Sequence, residues 1–141
     1  MATSAVSAYF TANGFTDNEI VECHYQVKRD VDMKGRPSSV TQGGVITVEM
    51  ASSANDAPLA EWITNSYKEA DGTITFVDAD KATLKTVEFS KGRCISYAER
   101  FDKKPDPAYP DKPSLTLTLQ ISAEKITFAG AEHDNNWDDK K

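Results

Sequence analysis

Alternating apolar and polar residues mark several segments of the chain as predicted β-strands. The alternation extends over residues 19–28, 46–50 and 114–124, and it is cleanest in the last of these. A period of two is typical of a strand with one face on a core and the other face in water or in an interface. The apolar face of the first segment consists of Val21, Cys23, Tyr25 and Val27.

The region between residues 74 and 101 has the pattern of a meander of shorter strands. We predict strands over residues 74–76, 84–89 and 93–101. The Lys91-Gly92 dipeptide predicts a hairpin turn between the last two of them. The ordered pattern is expected to end at residues 126–128. In the strand over residues 93–101, the residues expected to share one face are Ile95, Tyr97 and Phe101.

Residues 52–67 show helical periodicity. Their apolar positions recur at i, i+3, i+4, i+7 and i+8, which is the spacing of one helix face. Pro58 suits the first turn, where its missing N–H is not needed, and Asn55 or Asp56 can act as the N-cap. We predict one amphipathic helix that packs against the sheet or plugs one end of a barrel. Its expected buried face is Leu59, Trp62, Ile63, Ser66 and Tyr67.

A short alternating segment at residues 6–10 and the pattern at residues 126–128 bring the count to seven or eight short strands. With one helix, these strands predict a mainly β fold, either a small β-barrel or a tightly rolled sandwich. The length of 141 residues fits one domain with a single core. The chain shows no internal repeat, so residues 1–141 are expected to form one domain. The acidic, amide-rich end at about 132–141, which carries Trp137, is predicted to be a flexible tail.

One segment, RDVDMKGRPSSVTQGG at residues 29–44, is too polar and too broken to be a strand. Gly35, Pro37 and the Gly43-Gly44 pair each disfavour regular structure. The segment exceeds the roughly 12–15 residues beyond which unstructured connections are uncommon, and such loops are usually functional or disordered. Apolar residues are spaced along it, which favours an arm that docks on a neighbour over a disordered loop. These residues are Val31, Met33 and Val40.

Composition and charge restrict the partners of the chain. A formal net charge of −6 leaves no basic stripe to neutralise phosphates, so we expect no nucleic-acid partner. No N-terminal segment has the basic and apolar character of a signal peptide, and no apolar run is long enough for a membrane span. We therefore expect a protein made in the cytoplasm, without direct membrane insertion.

Candidate residues for catalysis or metal binding are few. Asp78 and Asp80 suggest a calcium loop, but Thr83 stands where the sharp glycine turn belongs and Phe89 where a bidentate glutamate belongs. No serine or cysteine nucleophile has a visible base, and no glycine-rich phosphate loop precedes a helix. The sequence therefore predicts no enzyme, no cofactor and no metal site.

The histidines and cysteines do not change this interpretation. His24 and Cys23 are adjacent on a predicted strand, so their side chains are expected on opposite faces. Cys23 and Cys94 lack the spacing of a redox or zinc motif and are expected to be small buried or half-buried thiols. A cluster of one histidine and three aspartates near the C-terminus is expected to lie in a solvated tail. It consists of His133, Asp134, Asp138 and Asp139.

The residues also resemble a known family. The run ECHYQVKRDVDMKGRPSSVTQGG at residues 22–44, followed by VITVEM, is similar to the tube protein of type VI secretion systems, the Hcp or TssD family, in the version found in Bacteroidetes. Further similar segments follow in family order: LAEWITNSY, DGTITF, SYAERFD and ISAEKITFAGAEHDNNW. The resemblance covers roughly residues 7–137. The proline-rich connection at residues 103–113 and the DDKK ending depart from the family pattern.

This resemblance implies a structural protein. Members of the family are small β-barrels with one flanking helix and a long extended loop, and they close into hexameric rings. The rings stack into a hollow tube that a contracting sheath drives out of the cell, with effector proteins carried in the lumen. The implied partners are other copies of the chain, together with sheath, baseplate and spike proteins. The implied route is assembly in the cytoplasm and then secretion by the apparatus, without a signal peptide.

The resemblance also implies that the long loop contacts adjacent subunits. We hypothesise that its charged residues set orientation and register and that its apolar residues dock. Gly35 and Pro37 would shape the loop. The predicted subunit interface consists of Arg29, Asp30, Val31, Asp32, Met33, Gly35, Arg36, Pro37, Ser38, Ser39 and Val40.

Three other functions remain open on the sequence. One is a tube subunit of a phage-tail-like or extracellular contractile injection system, which shares the architecture. Another is a monomeric ligand-binding barrel of lipocalin type, although the apolar residues suffice for one core and leave few to line a cavity. The third is a hydrolase on a β scaffold, for which the catalytic residues are missing.

Overall fold

A computed structural model describes residues 5, 7–12, 15–52, 54, 56–104, 107–108 and 113–135 of the chain. The described part is mainly β, with one α-helix. In chain order the elements are β1 (Ser7–Ala12), β2 (Phe15–Lys28), β3 (Gln42–Ala51), α1 (Ala57–Thr64), β4 (Ala70–Val77), β5 (Thr83–Phe101), β6 (Leu115–Phe128) and β7 (Ala131–Asp134).

The strands form one antiparallel sheet that closes into a barrel. Their order is β3-β2-β1-β4-β5-β6-β7, and an additional pairing of β3 with β6 closes the first six strands. This closing ladder runs from Val45 paired with Ser122 to Ala51 paired with Thr116. Closure pairs the edges of these six strands, which otherwise invite uncontrolled pairing, and leaves β7 as an edge strand on β6. The predicted small β-barrel with one helix is confirmed.

Side chains fill the barrel. The predicted inward face of β3 is confirmed, because Ile46, Val48 and Met50 are fully buried. The predicted inward face of β6 is confirmed from Leu117 to Ile121, but Leu115, at the start of the strand, is 38% exposed. Small barrels have an interior just wide enough for side chains to fill, and the twelve largest fully buried side chains of the described part do so. They are Trp62, Phe10, Phe89, Ile46, Met50, Leu59, Ile74, Leu117, Leu119, Ile121, Ile126 and Val48.

The helix α1 is shorter than predicted. Leu59 and Trp62 are buried as expected, but the helix ends at Thr64 and Tyr67 lies beyond it with 85% of its surface exposed. The reason is local: Asn65 has an extended backbone, and its side-chain oxygen accepts a hydrogen bond from the Tyr67 N–H. Asparagine competes with helical hydrogen bonding in this way.

At the beginning of α1, the residues lie at their predicted positions, but the predicted capping hydrogen bond is not formed. Pro58 lies in the first turn and Asp56 occupies the N-cap position. The Asp56 carboxylate accepts a hydrogen bond from the Ser52 hydroxyl at 2.6 Å and makes no capping bond to a helix N–H. Asn55, the other predicted cap, lies outside the described residues.

Residues 83–101 form one strand, so the predicted hairpin turn at Lys91-Gly92 is wrong. Gly92 pairs with Ala70 and Phe89 pairs with Gly72, so β5 has one residue more than β4 between these pairs, which is a β-bulge. Lys91 takes a positive φ of 53° there. The ladder with β6 continues past this point without a shift, so the chain bends and does not reverse.

A second bulge changes the predicted face of β5 in part: Tyr97 packs against the core as predicted, but Ile95 does not. The register with β6 shifts between Cys94 and Ser96, which leaves Ile95 outside the ladder and 53% exposed, whereas Cys94 is buried. A third bulge, between Ile20 and Glu22, has the same effect on Val21, which is 39% exposed. One extra residue in a strand moves the following side chains to the other face. Phe101, at the end of β5, is also exposed.

The ordered structure extends beyond the predicted end at residues 126–128. A turn with Gly130 at φ +81° leads into β7, which pairs with the end of β6. The first part of the predicted flexible tail therefore belongs to the sheet. Residues 136–141, including Trp137, lie outside the described residues. Within the described part, no helix is long and apolar enough to cross a membrane.

Candidate interaction site

The segment predicted to be an arm connects β2 and β3. It is shorter than residues 29–44, because Gln42 and Gly43 already pair with Lys28 and Val27 of β2. We call residues 29–41 the arm. It is a hairpin with its own hydrogen bonds, not an irregular loop.

The backbone of the arm narrows to a tight turn. Ser38 N–H donates to the Asp30 carbonyl at 2.8 Å, and Asp32 N–H donates to the Arg36 carbonyl at 2.9 Å. An isolated bridge pairs Val31 with Pro37 between these two bonds. At the tip, Gly35 N–H donates to the Asp32 carbonyl at 3.0 Å. Gly35 has a φ of +81°, a left-handed conformation that other residues adopt at a cost.

The Asp32 carboxylate organises the tip. Its Oδ1 accepts hydrogen bonds from the N–H groups of Lys34 and Arg36, at 2.9 and 3.0 Å. Its Oδ2 accepts a bond from Arg36 Nε at 2.8 Å. The backbone hydrogen bond from Arg36, aided by its side chain, lowers the pKa of Asp32 from its usual value. Two of the charges predicted to pair across an interface are thus paired with each other inside the arm.

The two legs of the arm are joined near its root by side-chain hydrogen bonds. Arg29 Nε donates to the Thr41 hydroxyl at 2.9 Å. The Asp30 N–H donates to the Ser39 hydroxyl, also at 2.9 Å, and that hydroxyl donates to the Val40 carbonyl. The structure therefore brings Arg29, Asp30 and Ser39 together as parts of one frame. Thr41 was not predicted, because one threonine in a polar segment carries no sequence signal of its own.

The three apolar residues of the arm are exposed to solvent in the single subunit. The accessible surface area, relative to that of the same residue in a reference state, is 105% for Met33 at the tip, 80% for Val40 and 62% for Val31. The predicted docking residues do not pack on the core of their own subunit. Exposed apolar side chains that lie close together are typical of protein interaction sites.

The remaining candidate residues have local partners. His24 is exposed and Cys23 is half-buried, which confirms their predicted opposite orientation. The Asp78 carboxylate accepts bonds from the N–H groups of Asp80 and Ala82, so it closes the turn between β4 and β5. In the part of the chain that the structure describes, no group of three or more histidine, cysteine or acidic residues is placed to hold a metal ion.

Both cysteine thiols and the tyrosine of one tyrosine–glutamate pair have raised pKa values. Cys23 and Cys94 are free thiols, and burial raises the pKa of both, that of Cys23 to about 11. Beside α1, the Tyr97 hydroxyl donates to Glu99 Oε1 at 2.9 Å. Desolvation, followed by this carboxylate, raises the pKa of Tyr97 to about 12. A raised tyrosine pKa keeps the hydroxyl protonated, which suits a hydrogen-bond donor and not a base.

Comparison with known proteins places these features in context. The family model for Hemolysin coregulated protein Hcp (TssD) matches residues 4–138. Hcp1 from Flavobacterium johnsoniae is 35% identical, with a TM-score of 0.81 over 92% of this chain and 99% of that chain. A comparison with curated proteins gives no match.

More distant structures share the fold alone. Hcp1 from Salmonella typhimurium is 9% identical with a TM-score of 0.71, over 93% of this chain and 95% of that chain. A chain of the sheath-tube complex of PVC, an extracellular contractile injection system, is 15% identical with a TM-score of 0.55, over 92% and 93% of the two chains.

Proposed function

The chain belongs to the Hcp (TssD) family, and from this we infer that it is a structural subunit of a type VI secretion tube. The observation that carries this inference is the family match over residues 4–138, together with 35% identity to Hcp1 from Flavobacterium johnsoniae. Flavobacterium is a member of the Bacteroidetes, so the predicted version of the family is confirmed as well.

Proteins of this family assemble with themselves into rings and tubes. We propose that six copies of this chain close into a ring and that the rings stack. The arm supports this proposal, because its frame is satisfied internally while Val31, Met33 and Val40 remain exposed. In this arrangement Asp32 and Arg36 hold the shape of the tip, and the apolar residues make the contact with the next subunit.

The proposed activity is mechanical and not catalytic. The barrel interior is filled by side chains, and the Asp32 carboxylate accepts its hydrogen bonds from within the arm. A subunit that transmits force must keep its shape, and the hydrogen bonds within the arm hold its backbone in one conformation. No reaction and no cofactor is needed for this role.

The proposed partners follow from the same role. The outer surface of the tube would meet sheath proteins, its ends would meet baseplate and spike proteins, and its lumen would hold effector proteins. Family members are secreted by the type VI apparatus. We propose the same route here, with assembly in the cytoplasm and delivery to the outside or to a target cell.

Light scattering after size exclusion, with negative-stain images of the same peak, tests the proposal. A particle about six times the subunit mass of 15.5 kDa, with an open centre, is expected. A monomer at every concentration, without rings, would contradict self-assembly of the purified chain. Binding of an apolar dye by such a monomer would favour the ligand-binding barrel instead.

A tube subunit of an extracellular contractile injection system is the second candidate. The shared fold with the PVC sheath-tube complex favours it, at a lower identity and TM-score than the Flavobacterium protein. The two candidates differ in the genes beside this one: membrane-complex genes are expected for a type VI system and are absent from an extracellular particle.

A further inference from the structure

One edge of β6 has two successive partners, and a gap separates them. The first partner is β3, whose ladder ends where Val45 pairs with Ser122. The second is β7, whose ladder begins where Asp134 pairs with Lys125. Ala123 and Glu124 of β6 lie between the two ladders, at the point where β3 leaves the barrel wall.

A bulge explains why β3 leaves. Val45 pairs with Gln26 but Gly43 pairs with Val27, so Gly44 is an extra residue on the β3 side. The backbone of Gly43 comes so close to β2 that a Cβ on Gly43 would lie 2.6 Å from the Gln26 carbonyl oxygen. The start of β3 is therefore held against β2 and turned away from β6. It follows directly on Thr41, the last residue of the arm, and we call this junction the root of the arm.

The side chain of Asn135 bridges the gap. Its Nδ2 donates to the Gly43 carbonyl at 2.9 Å and to the Ala123 carbonyl at 3.0 Å. Its Oδ1 lies 2.8 Å from His133 Nε2, and its main-chain N–H donates to the Glu124 carbonyl at 2.8 Å. Both amide hydrogens and the amide oxygen are therefore used. A side-chain amide takes the place of the missing strand pairing.

We propose that Asn135 is a positioning residue for the arm. It ties the end of β7 to Gly43, two residues after Thr41, where the arm ends. Gly43 is held by this tie, which consists of the Asn135 hydrogen bonds to Gly43 and Ala123, and by the β2 ladder, since the β3–β6 ladder starts only at Val45. Loss of the tie releases the root of the arm and leaves the barrel core intact, since Asn135 itself is only half-buried.

The consequence is a connection between the C-terminal strand and the assembly surface. A force or a partner that lifts β7 from β6 removes Asn135 from Gly43 and loosens the arm. The effect of this connection on tube assembly rests on the proposed function. The tie itself is a property of one chain and does not depend on it.

Hydrogen exchange measured by mass spectrometry on the full chain tests the tie, with Asn135→Asp and Asn135→Ala as variants. The first replaces a double donor by a carboxylate facing two carbonyl oxygens, and the second removes the amide without adding a charge. We expect exchange of residues 29–43 to become roughly tenfold faster in both variants, the size that corresponds to about one lost hydrogen bond. Exchange in β4 and the first half of β5 should stay unchanged.

Asn65→Asp is the matched control. The Asn65 oxygen accepts a bond from the Tyr67 N–H at 3.1 Å, and an aspartate oxygen keeps that bond while adding the same charge as Asn135→Asp. We expect wild-type exchange in the arm of this variant. Faster exchange confined to β7, or an equal acceleration in every segment, would overturn the proposal.

The oligomeric state of each sample is fixed by light scattering before exchange, so the two proposals fail separately. A chain that never forms rings, but whose arm loosens in the Asn135 variants, would refute the tube and leave the tie. A chain that forms rings, with an arm that exchanges normally in the variants, would refute the tie and leave the tube.

Discussion

Trp62 Nε1 donates a hydrogen bond to the carbonyl oxygen of Gly92 at 3.1 Å, and this bond joins α1 to the bulge of β5. The Trp62 ring also stacks on Phe89, with centroids 6.3 Å apart and planes 8° from parallel. A Cβ on Gly92 would lie 2.9 Å from the Phe89 ring, so glycine is what admits the ring at this position. The helix, the bulge and the aromatic core are therefore one unit.

We expect Trp62→Phe to lower the free energy of unfolding by about 1–3 kcal/mol, because it leaves the buried Gly92 carbonyl without its donor. Urea unfolding followed by far-UV circular dichroism measures the change. Tyr67→Phe is the control, since Tyr67 is 85% exposed and its replacement should stay within about 0.5 kcal/mol. Equal stabilities of the two variants would contradict the role of this bond.

The tip of the arm should lose its order only in acid. The pKa of Asp32 is lower in the folded chain than its usual 3.8, so its contribution is complete above that value and is lost as pH falls through the folded pKa. The amide signals of Lys34 and Arg36 in NMR spectra should therefore shift below pH 3.8. In the Asp32→Asn variant, the same signals should show no such step. A step that persists in the variant would assign the titration to another group.

Met33→Ser should weaken assembly and leave the fold unchanged. The Met33 side chain is fully exposed in the single subunit, so its replacement costs within about 0.5 kcal/mol of unfolding free energy. Ring formation, measured by light scattering at matched concentrations, should fall because the apolar contact is lost. Tyr67→Ser removes an exposed ring outside the arm and serves as control. Rings of normal stability in the Met33 variant would remove this residue from the interface.

Cys23 should react slowly with thiol reagents in the folded protein. Burial raises its pKa from 9.0 to about 11, which lowers the thiolate fraction at neutral pH roughly a hundredfold. Mass spectrometry after brief alkylation, with and without urea, measures the difference at each cysteine. Equal rates in the folded and unfolded chain would show that the thiol is not protected.

Much of the fold follows from local periodicity. In residues 46–50 of β3 and 117–121 of β6, strict alternation places the same apolar side chains inside that the structure buries, because the ladder between these two strands has no bulge. The arm was also predictable as a segment, since Gly35 and Pro37 exclude a strand there. In the family resemblance, the same residues indicated an assembly surface. The contact between subunits stays a prediction.

Bulges account for most of the errors. Val21 and Ile95 fit an inward alternation in the sequence, yet each is displaced outward by one extra residue in its strand. A bulge depends on how two distant strands align, so the residues of one strand do not reveal it. The same holds for Lys91-Gly92, a dipeptide typical of a turn, where pairing with β6 keeps the strand continuous.

The sequence by itself determined which residues alternate, where the helix begins and which segment projects, because these depend on neighbours along the chain. The tertiary structure decided where the strands bend, that Asp32 and Arg36 satisfy each other, and that Asn135 reaches Gly43. That last contact joins residues 92 positions apart. It exists because barrel closure brings the end of β7 beside the start of β3, and no local pattern encodes that meeting.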